Sequence, residues 1–146
     1  MENVTSTITH LFAVTDQRDW QQVESTFDDS VLLDYTWTTG NPPERLSPRQ
    51  IVDIWTGILP GFDRTHHELF EIRISEDRDS ATASFRGKAE HFIGEDIWTV
   101  QGTYETALLK KGENWVISQF KFILEDWSGD RQLAAIAIER VKKARN

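Results

Sequence analysis

The period of the hydrophobic pattern changes half-way along the chain. Within residues 4–14 and 20–27, apolar side chains recur three and four positions apart, which is typical of amphipathic helices. In the second half, apolar and polar residues alternate over long runs, which indicates β-strands. These strands are predicted over residues 62–74, 81–93, 97–109 and 115–127. Short polar turns separate them, so this half is predicted to form an antiparallel meander.

A further helix is predicted over residues 47–59. Its start carries the signals of a capped helix, because Ser47 suits the N-cap, Pro48 the first turn and Gln50 the third position of a capping box. Its buried stripe is predicted to consist of Ile51, Ile54, Trp55 and Ile58.

The remaining segments complete an α+β order. Residues 31–37 are predicted to form the first strand, and Pro42 and Pro43 mark the loop that follows. Residues 128–144 are predicted to end the chain as a helix that docks through Leu133, Ile136, Ala137 and Val141. Helices come first and a sheet follows, so one α+β domain is predicted over residues 1–146. A long twisted sheet can curl over the helices and leave a cone-shaped cavity.

Composition narrows the possible functions. The 146 residues include 16 basic and 24 acidic side chains, and the net charge of −8 argues against general nucleic-acid binding. The absence of cysteine excludes disulfides, thiolate nucleophiles and cysteine-bound metals. No apolar run reaches the length of a membrane span, and the first residues do not resemble a signal peptide, so a cytoplasmic protein is expected.

Two adjacent histidines, His66 and His67, lie on the predicted strand 62–74. Neighbouring residues of a strand point to opposite faces, so only one of the two imidazoles can face the interior in regular pairing. Strict alternation places His66 on the apolar face with Phe70, and places His67 on the other face with Glu71. The pattern alone therefore predicts that His66 faces the interior.

A third histidine, His91, shares a face with the apolar residues of strand 81–93. A buried imidazole needs a hydrogen-bond partner. His91 is therefore either a pocket residue that takes part in chemistry or a core histidine bonded to backbone or water, and both interpretations stay open.

The order of these elements, together with several short strings, resembles the nuclear-transport-factor-2-like superfamily, in particular its SnoaL-like branch, which contains scytalone dehydratase. The strings are DQRDW at 16–20, VLLDYTW at 31–37, FDRTHHELFEI at 62–72, AEHFIGED at 89–96 and KKGENWVI at 110–117. The resemblance implies a cone-shaped α+β barrel, in which N-terminal helices pack against a strongly curved, mainly antiparallel sheet around a pocket. The fold by itself does not define the reaction, since it hosts enzymes of several classes and non-catalytic modules.

The resemblance implies four catalytic residues. It assigns His67 and His91 as the two pocket histidines, Asp16 as the carboxylate that orients one of them, and Tyr35 as a tyrosine that holds a water against the substrate carbonyl. We expect Asp16 to orient His91. Three positions depart from the family pattern: Thr15 replaces a tyrosine, and Thr103 and Glu105 replace a serine and an asparagine.

The resemblance and the alternation disagree about the histidine pair. The resemblance favours His67, and a β-bulge near Glu68 or Leu69 would turn His67 inward. Asp16 also has an alternative role, because the string around it offers Thr15, Asp16 and Asp19 as helix caps. Asp34, a tempting general base, is expected to point away from the pocket.

The function expected from this resemblance is that of a cofactor-independent dehydratase or isomerase acting on a hydrophobic, cyclic, carbonyl-bearing small molecule. His91 would remove a proton next to the carbonyl, and Tyr35 and His67 would stabilise the enolate oxygen. Aromatic side chains are expected to bind the substrate, namely Trp37, Trp55, Phe85, Trp98, Tyr104 and Phe120. No cofactor and no metal site are expected.

Two alternatives remain. The first is a non-catalytic binding or oligomerisation module, which predicts a pocket filled by side chains and His91 bonded to backbone. The second is an epoxide hydrolase, which needs two aspartates around an arginine, and Arg86 shares no face with such a pair. A small hydrophobic molecule is the expected partner, without nucleic acid or membrane, and a homodimer or homotrimer is expected.

Overall fold

The computed structural model describes residues 3–145, apart from the side chains of Trp37 and Thr38. The helices are α1 (Val4–Asp16), α2 (Trp20–Ser25), α3 (Thr36–Thr39), α4 (Pro48–Trp55) and α5 (Leu133–Ala144), with a 3₁₀ turn at Leu59–Gly61. The strands are β1 (Phe27–Asp34), β2 (Glu44–Leu46), β3 (Arg64–Glu76), β4 (Ser80–Ile93), β5 (Asp96–Lys111) and β6 (Asn114–Gly129). None of the helices within these described residues has both the length and the apolar character that a membrane span requires.

One six-stranded sheet carries the fold, in the order β2-β1-β6-β5-β4-β3. Strands β3 to β6 form the predicted antiparallel meander, and β1 pairs in parallel with β6. The sheet is open, because β2 and β3 occupy its two edges. The N-terminal helices cover one face, which we call the inner face, and α1 packs against β3 there. This arrangement is the predicted α+β class.

The core lies between the helices and the inner face. Along β4 the burial alternates strictly, with Ala81, Ala83, Phe85 and Ala89 turned inward. Four buried residues of α1 pack against these side chains, and they are the predicted stripe Val4, Ile8, Leu11 and Phe12. A smaller core forms where α5 docks on the 3₁₀ turn, around Phe62, Leu133 and Ala137.

The segment after β1 differs from the prediction. The first strand ends at Asp34, and α3 follows where the strand was expected to continue. The Asp34 carboxylate accepts a hydrogen bond from the backbone N–H of Thr36, which turns the chain into a helical conformation. The predicted loop also contains the short edge strand β2, which pairs with β1.

The helix starts follow the sequence signals closely. Ser47 and Gln50 form the predicted capping box of α4, and Asp19 caps α2 by accepting from the N–H of Gln22. Two predicted buried positions are wrong, since Ile54 is 50% and Ile136 is 43% exposed. Their helices are short and contact the rest of the fold along narrower stripes than the spacing implied.

An irregularity in β3 sets which of its residues face inward. Between Phe70 and Arg73 the pairing with β4 shifts, so that Glu71 and Ile72 together oppose the single residue Phe85. Glu71 has a φ of 55°, which is the left-handed conformation of a bulged residue. The extra residue reverses the facing of the strand, so odd-numbered residues point inward before it and even-numbered residues after it.

Candidate active site

The bulge at Glu71 separates the two adjacent histidines by environment. The side chain of His67 is 11% exposed and lies among inner-face residues. The side chain of His66 is 56% exposed, and its Nδ1 lies 3.5 Å from a carboxylate oxygen of Glu90. The resemblance was therefore right that His67 faces the interior, and the strict alternation that placed His66 there was wrong. The bulge itself lies at Glu71 rather than near Glu68 or Leu69, because alternation is regular from Thr65 to Phe70.

Asp16 and His67 form a hydrogen-bonded pair. Asp16 is the last residue of α1, and its Oδ1 lies 2.6 Å from Nδ1 of His67. A carboxylate oxygen can only accept, so Nδ1 carries the proton and donates a hydrogen bond to Asp16. This arrangement fixes the imidazole tautomer and leaves Nε2 of His67 without a proton in the neutral ring.

Two further donors hold the Asp16 carboxylate in place. The hydroxyl of Thr65 donates to Oδ1 over 2.9 Å, and the backbone N–H of His67 donates to Oδ2 over 2.8 Å. Partial burial raises the pKa of Asp16, but the hydrogen bonds and charge of His67 and the Thr65 hydroxyl outweigh it and lower the pKa overall. Asp16 is therefore ionised near neutral pH and does not cap a helix.

His91 also faces inward, but Asp16 does not orient it. Its Nδ1–H donates to the backbone carbonyl of Trp98 over 2.9 Å. The ring lies between Phe62 and Trp98, with centroid separations of 4.8 and 4.6 Å. The expected His91–Asp16 pair is thus wrong, because Asp16 is occupied by His67 and Thr65. Burial lowers the pKa of His91 to about 4, against the opposing effect of the Trp98 carbonyl, so the ring is neutral near pH 7.

His67 and His91 nevertheless belong to one cluster of interacting groups. They lie on neighbouring strands, where Thr65 pairs with His91 and His67 pairs with Ala89. The charge of His67 contributes to lowering the pKa of His91, and the charge of Asp16 opposes it. The structure therefore brings three of the four predicted catalytic side chains together.

Tyr35, the fourth predicted catalytic residue, is connected to this cluster by a series of aromatic ring contacts. Its ring contacts Phe120 and Phe122, with centroids 6.1 and 6.0 Å away. Tyr104 contacts the same two rings, and its centroid lies 5.1 Å from that of Phe12. Phe12 in turn lies 5.3 Å from His67, so a continuous set of rings connects both tyrosines to the histidine.

Four polar atoms of this region have no hydrogen bond within residues 3–145. They are Nε2 of His67, Nε2 of His91 and the hydroxyl oxygens of Tyr35 and Tyr104. Every side-chain nitrogen or oxygen that is sealed from solvent in this part of the chain does have a partner. These four atoms therefore border space that a water-sized molecule can reach.

Two depressions lie on the opposite, outer face of the sheet. One of about 450 Å³ is lined by Arg73, Glu105 and Gln119 among others, and one of about 160 Å³ includes Lys88 and Trp127. Neither includes a predicted site residue. Within the described residues, no three metal-ligating side chains converge.

A family model described as a SnoaL-like domain matches residues 1–121. The chain belongs to this family. None of the curated proteins matches it.

Solved structures share the fold of this SnoaL-like domain at low sequence identity. The Kfla4162 protein from Kribbella flavida is 21% identical with a TM-score of 0.83, over 90% of this chain and 93% of that chain. A protein provisionally named a scytalone dehydratase, from Novosphingobium aromaticivorans, is 14% identical with a TM-score of 0.77, over 88% and 85%. A hexachlorocyclohexane dehydrochlorinase (LinA-type3) from Novosphingobium barchaimii is 11% identical with a TM-score of 0.72, over 88% of each. The SnoaL-like domain thus has structural neighbours named as a dehydratase and a dehydrochlorinase.

The SnoaL-like domain places the expected substrate-binding residues in different settings. Phe85, Tyr104 and Phe120 are buried in the main core, Trp55 packs at its edge, and Trp98 stacks on His91. The side chain of Trp37 lies outside the described part of the chain. Sequence reasoning missed Thr65 as a partner of Asp16, although its position two residues before His67 on the same face could have indicated it.

Three departures from the family pattern can now be placed in this SnoaL-like domain. Thr15 is buried, and its hydroxyl donates to the carbonyl of Leu11 over 2.7 Å. This hydrogen bond lies within α1, so the hydroxyl is used by the helix and not by the site. Thr103 and Glu105 point to the outer face, because Tyr104 between them points inward. The alignment of those two residues with site positions is therefore wrong. Arg86 also lies on the outer face, paired with Glu125 at 3.3 Å.

Proposed function

We propose that this SnoaL-like domain is a cofactor-independent lyase or isomerase in which His67 is the general base. The observation that carries the proposal is the 2.6 Å hydrogen bond between Asp16 and His67, which leaves Nε2 of His67 unpaired among the described residues. A base needs a fixed ring, a nitrogen that no other group occupies and a carboxylate that stabilises the imidazolium it becomes. His67 has all three, so the role first expected of His91 passes to His67.

The reaction starts with removal of a proton from the carbon next to a substrate carbonyl. Nε2 of His67 takes this proton, and the C–H electron pair forms the enolate. Asp16 stabilises the resulting imidazolium through Nδ1–H, while the Tyr35 hydroxyl donates to the enolate oxygen. The imidazolium then returns the proton to a leaving hydroxyl, which releases water, or to another carbon, which isomerises the substrate.

His91 contributes as a neutral imidazole. Its Nδ1–H is used by the Trp98 carbonyl, and with a pKa of about 4 the ring carries no second proton near pH 7. Nε2 of His91 is therefore an acceptor, which suits it to bind a hydroxyl group of the substrate.

The aromatic surroundings indicate a hydrophobic, cyclic substrate. The Phe12 ring lies 5.3 Å from that of His67, and Phe85, Tyr104 and Phe120 contact Phe12 at 5.1 to 6.1 Å. Planar apolar molecules stack favourably on such surfaces. The expected homodimer or homotrimer stays a prediction.

Exchange of α-protons for deuterium tests the proposed base without knowledge of the natural substrate. A panel of cyclic and bicyclic ketones, some with a β-hydroxyl, is incubated with the protein in D₂O and followed by proton NMR. We expect enzyme-dependent exchange, with loss of water from the β-hydroxy ketones. His67→Ala should abolish it, whereas the matched control His66→Ala, which alters the exposed neighbour, should retain it. Full exchange by His67→Ala would refute the proposed base.

A non-catalytic binding module is the second candidate, and one observation favours it. The His91 ring is bonded to backbone and packed between Phe62 and Trp98, as a side-chain-filled interior predicts. Such a module would bind the same ketones without exchange, and His67→Ala would leave their dissociation constants unchanged. The exchange experiment, combined with a binding titration, therefore separates the two candidates.

A further inference from the structure

Tyr104 occupies a central position on the inner face that the proposed mechanism does not yet use. It pairs with Phe85 on β4 and with Phe122 on β6, and its ring stacks on Phe85 at a centroid distance of 5.1 Å and an angle of 13°. Gly87, two residues after Phe85 on β4, makes room for this ring, because a Cβ at that position would lie 2.5 Å from a Tyr104 ring carbon. The ring is thus held in one orientation.

The hydroxyl of Tyr104 makes no hydrogen bond that would stabilise the described part of the fold. The residue is 6% exposed, yet its hydroxyl has no hydrogen bond within the described residues. This hydroxyl adds no hydrogen bond to the fold, and a phenylalanine would fill the same ring position without it. The oxygen is not sealed either, so it faces reachable space.

The surroundings of this hydroxyl connect it to the proposed site. Phe12 touches both Tyr104 and His67, and Phe120 and Phe122 touch both Tyr104 and Tyr35. Burial raises the pKa of Tyr104 well above its ordinary value, and the charges of Tyr35 and Asp16 add to this. The phenol therefore stays protonated and can donate a hydrogen bond at ordinary pH.

We propose that Tyr104 is a further catalytic residue, whose hydroxyl donates, together with that of Tyr35, to the oxygen of the bound substrate. This rests on the proposed function and deepens it. A single carbonyl oxygen accepts two donors through its two lone pairs, and both bonds strengthen as the oxygen becomes an enolate. The substrate class is thus a ketone or enone whose carbonyl enters the aromatic interior first, with its acidic C–H toward His67.

A ligand titration and an activity measurement test this role. The probe is 4-nitrophenol, whose ionised oxygen imitates an enolate and whose absorbance reports its ionisation. Removing one donor should weaken 4-nitrophenolate binding about tenfold, and should lower kcat/KM for ketone exchange roughly 100-fold. The variant is Tyr104→Phe, which removes only the hydroxyl. Its melting temperature should equal or exceed that of the unmodified protein.

Thr106→Val provides the matched control. Thr106 is the next inward residue of β5, and its buried hydroxyl donates to the Ala83 carbonyl over 3.0 Å. Its loss should therefore lower the melting temperature and leave 4-nitrophenolate binding unchanged, the reverse of Tyr104→Phe. Equal binding by Tyr104→Phe and the unmodified protein, or no binding by the unmodified protein, would overturn the proposal.

The same measurements separate failure of this proposal from failure of the proposed base. His67→Ala should lose exchange but retain 4-nitrophenolate binding that depends on Tyr104. If His67→Ala keeps full exchange while Tyr104→Phe loses binding, the base is wrong and the oxygen-binding role of Tyr104 stands. If His67→Ala loses exchange and Tyr104→Phe changes neither binding nor rate, the base stands and Tyr104 has no such role.

Discussion

Oδ1 of Asp16 lies 2.6 Å from Nδ1 of His67, although 51 residues separate them in sequence. The pair joins the end of α1 to the start of β3. A carboxylate at a helix C-terminus is unfavourable, because the carbonyl ends of the helix dipole repel it. The donors from His67 and Thr65 offset this repulsion. The pair is therefore both a structural contact and a means to orient an imidazole.

Asp16→Asn should remove most activity and little structure. The amide keeps the shape of the side chain but carries no charge to stabilise an imidazolium, and it can present its NH₂ group to Nδ1 and select the wrong tautomer. We expect the ketone exchange rate to fall about 100-fold or more. Asp19→Asn is the control, since Asp19 only caps α2 and its replacement should keep the rate. Equal rates for both variants would contradict an orienting role for Asp16.

Thr65→Val should weaken the site through its effect on Asp16. Valine has nearly the shape of threonine, but it leaves Oδ1 with one donor fewer. We expect the exchange rate to fall roughly tenfold and unfolding to become easier by about 1 kcal/mol. Thr65→Ser, which retains the hydroxyl, should recover most of the rate in the same assay. If valine keeps the full rate, or if serine loses as much rate as valine, the hydroxyl bond to Asp16 does not determine activity.

The burial of His91 should make the protein less stable in mild acid. Its folded pKa of about 4 lies below the value of about 6.5 in the unfolded chain, so the unfolded state binds more protons between these values. This contribution to stability is present above pH 6.5 and is lost as the pH falls toward 4. The loss amounts to about 3 kcal/mol in the free energy of unfolding.

Urea unfolding at several pH values measures this effect. His91→Gln should flatten the decline between pH 6.5 and 4, whatever its effect on absolute stability, whereas the exposed His66→Gln should leave the decline unchanged. The pKa of Asp16 is lowered in the fold, so its contribution to stability is complete above its unfolded pKa near 4. That contribution is lost only at lower pH, outside the range in which His91 titrates. An unchanged slope in His91→Gln would show that the ring is not buried as described.

Glu71→Gly should stabilise the protein or leave its stability unchanged. Glu71 has a φ of 55°, where a side chain is strained by about 1 kcal/mol and glycine is not. Glu68→Gly is the matched control on the same strand, because it introduces glycine at a regular extended position and should destabilise by roughly 0.5–1 kcal/mol. Urea midpoints compare the two, and equal destabilisation would argue against the bulge.

Much of this fold could be predicted from residue patterns, because those patterns report local preferences. The α1 stripe, the α4 capping box and the four-stranded meander each depend on periodicity or on contacts within a few residues. β2 could not be predicted, since a three-residue edge strand between prolines has no period and forms only by pairing with β1.

The candidate site was harder to predict because it depends on tertiary contacts. The His67 assignment required a bulge, and the alternation around Phe70 pointed the other way. The predicted partner of Asp16, His91, was wrong because two inward-facing histidines were available. Only the packing of α1 against β3 decides between them. The Trp98 carbonyl that holds His91 has no signature in the sequence, since every residue has a carbonyl.

The adjacency of His66 and His67 gives β3 an unusual tolerance of sequence drift. Loss of the bulge residue, or gain of one residue between the pair and the bulge at Glu71, would exchange which of the two histidines faces inward. Such a shift normally replaces every inward side chain by its neighbour in sequence. Here the neighbour of a histidine is another histidine. A homologue that has lost or shifted the bulge at Glu71 could therefore still present an imidazole to the interior. The hydrogen bond from that imidazole to Asp16 would then have to form again in the new register.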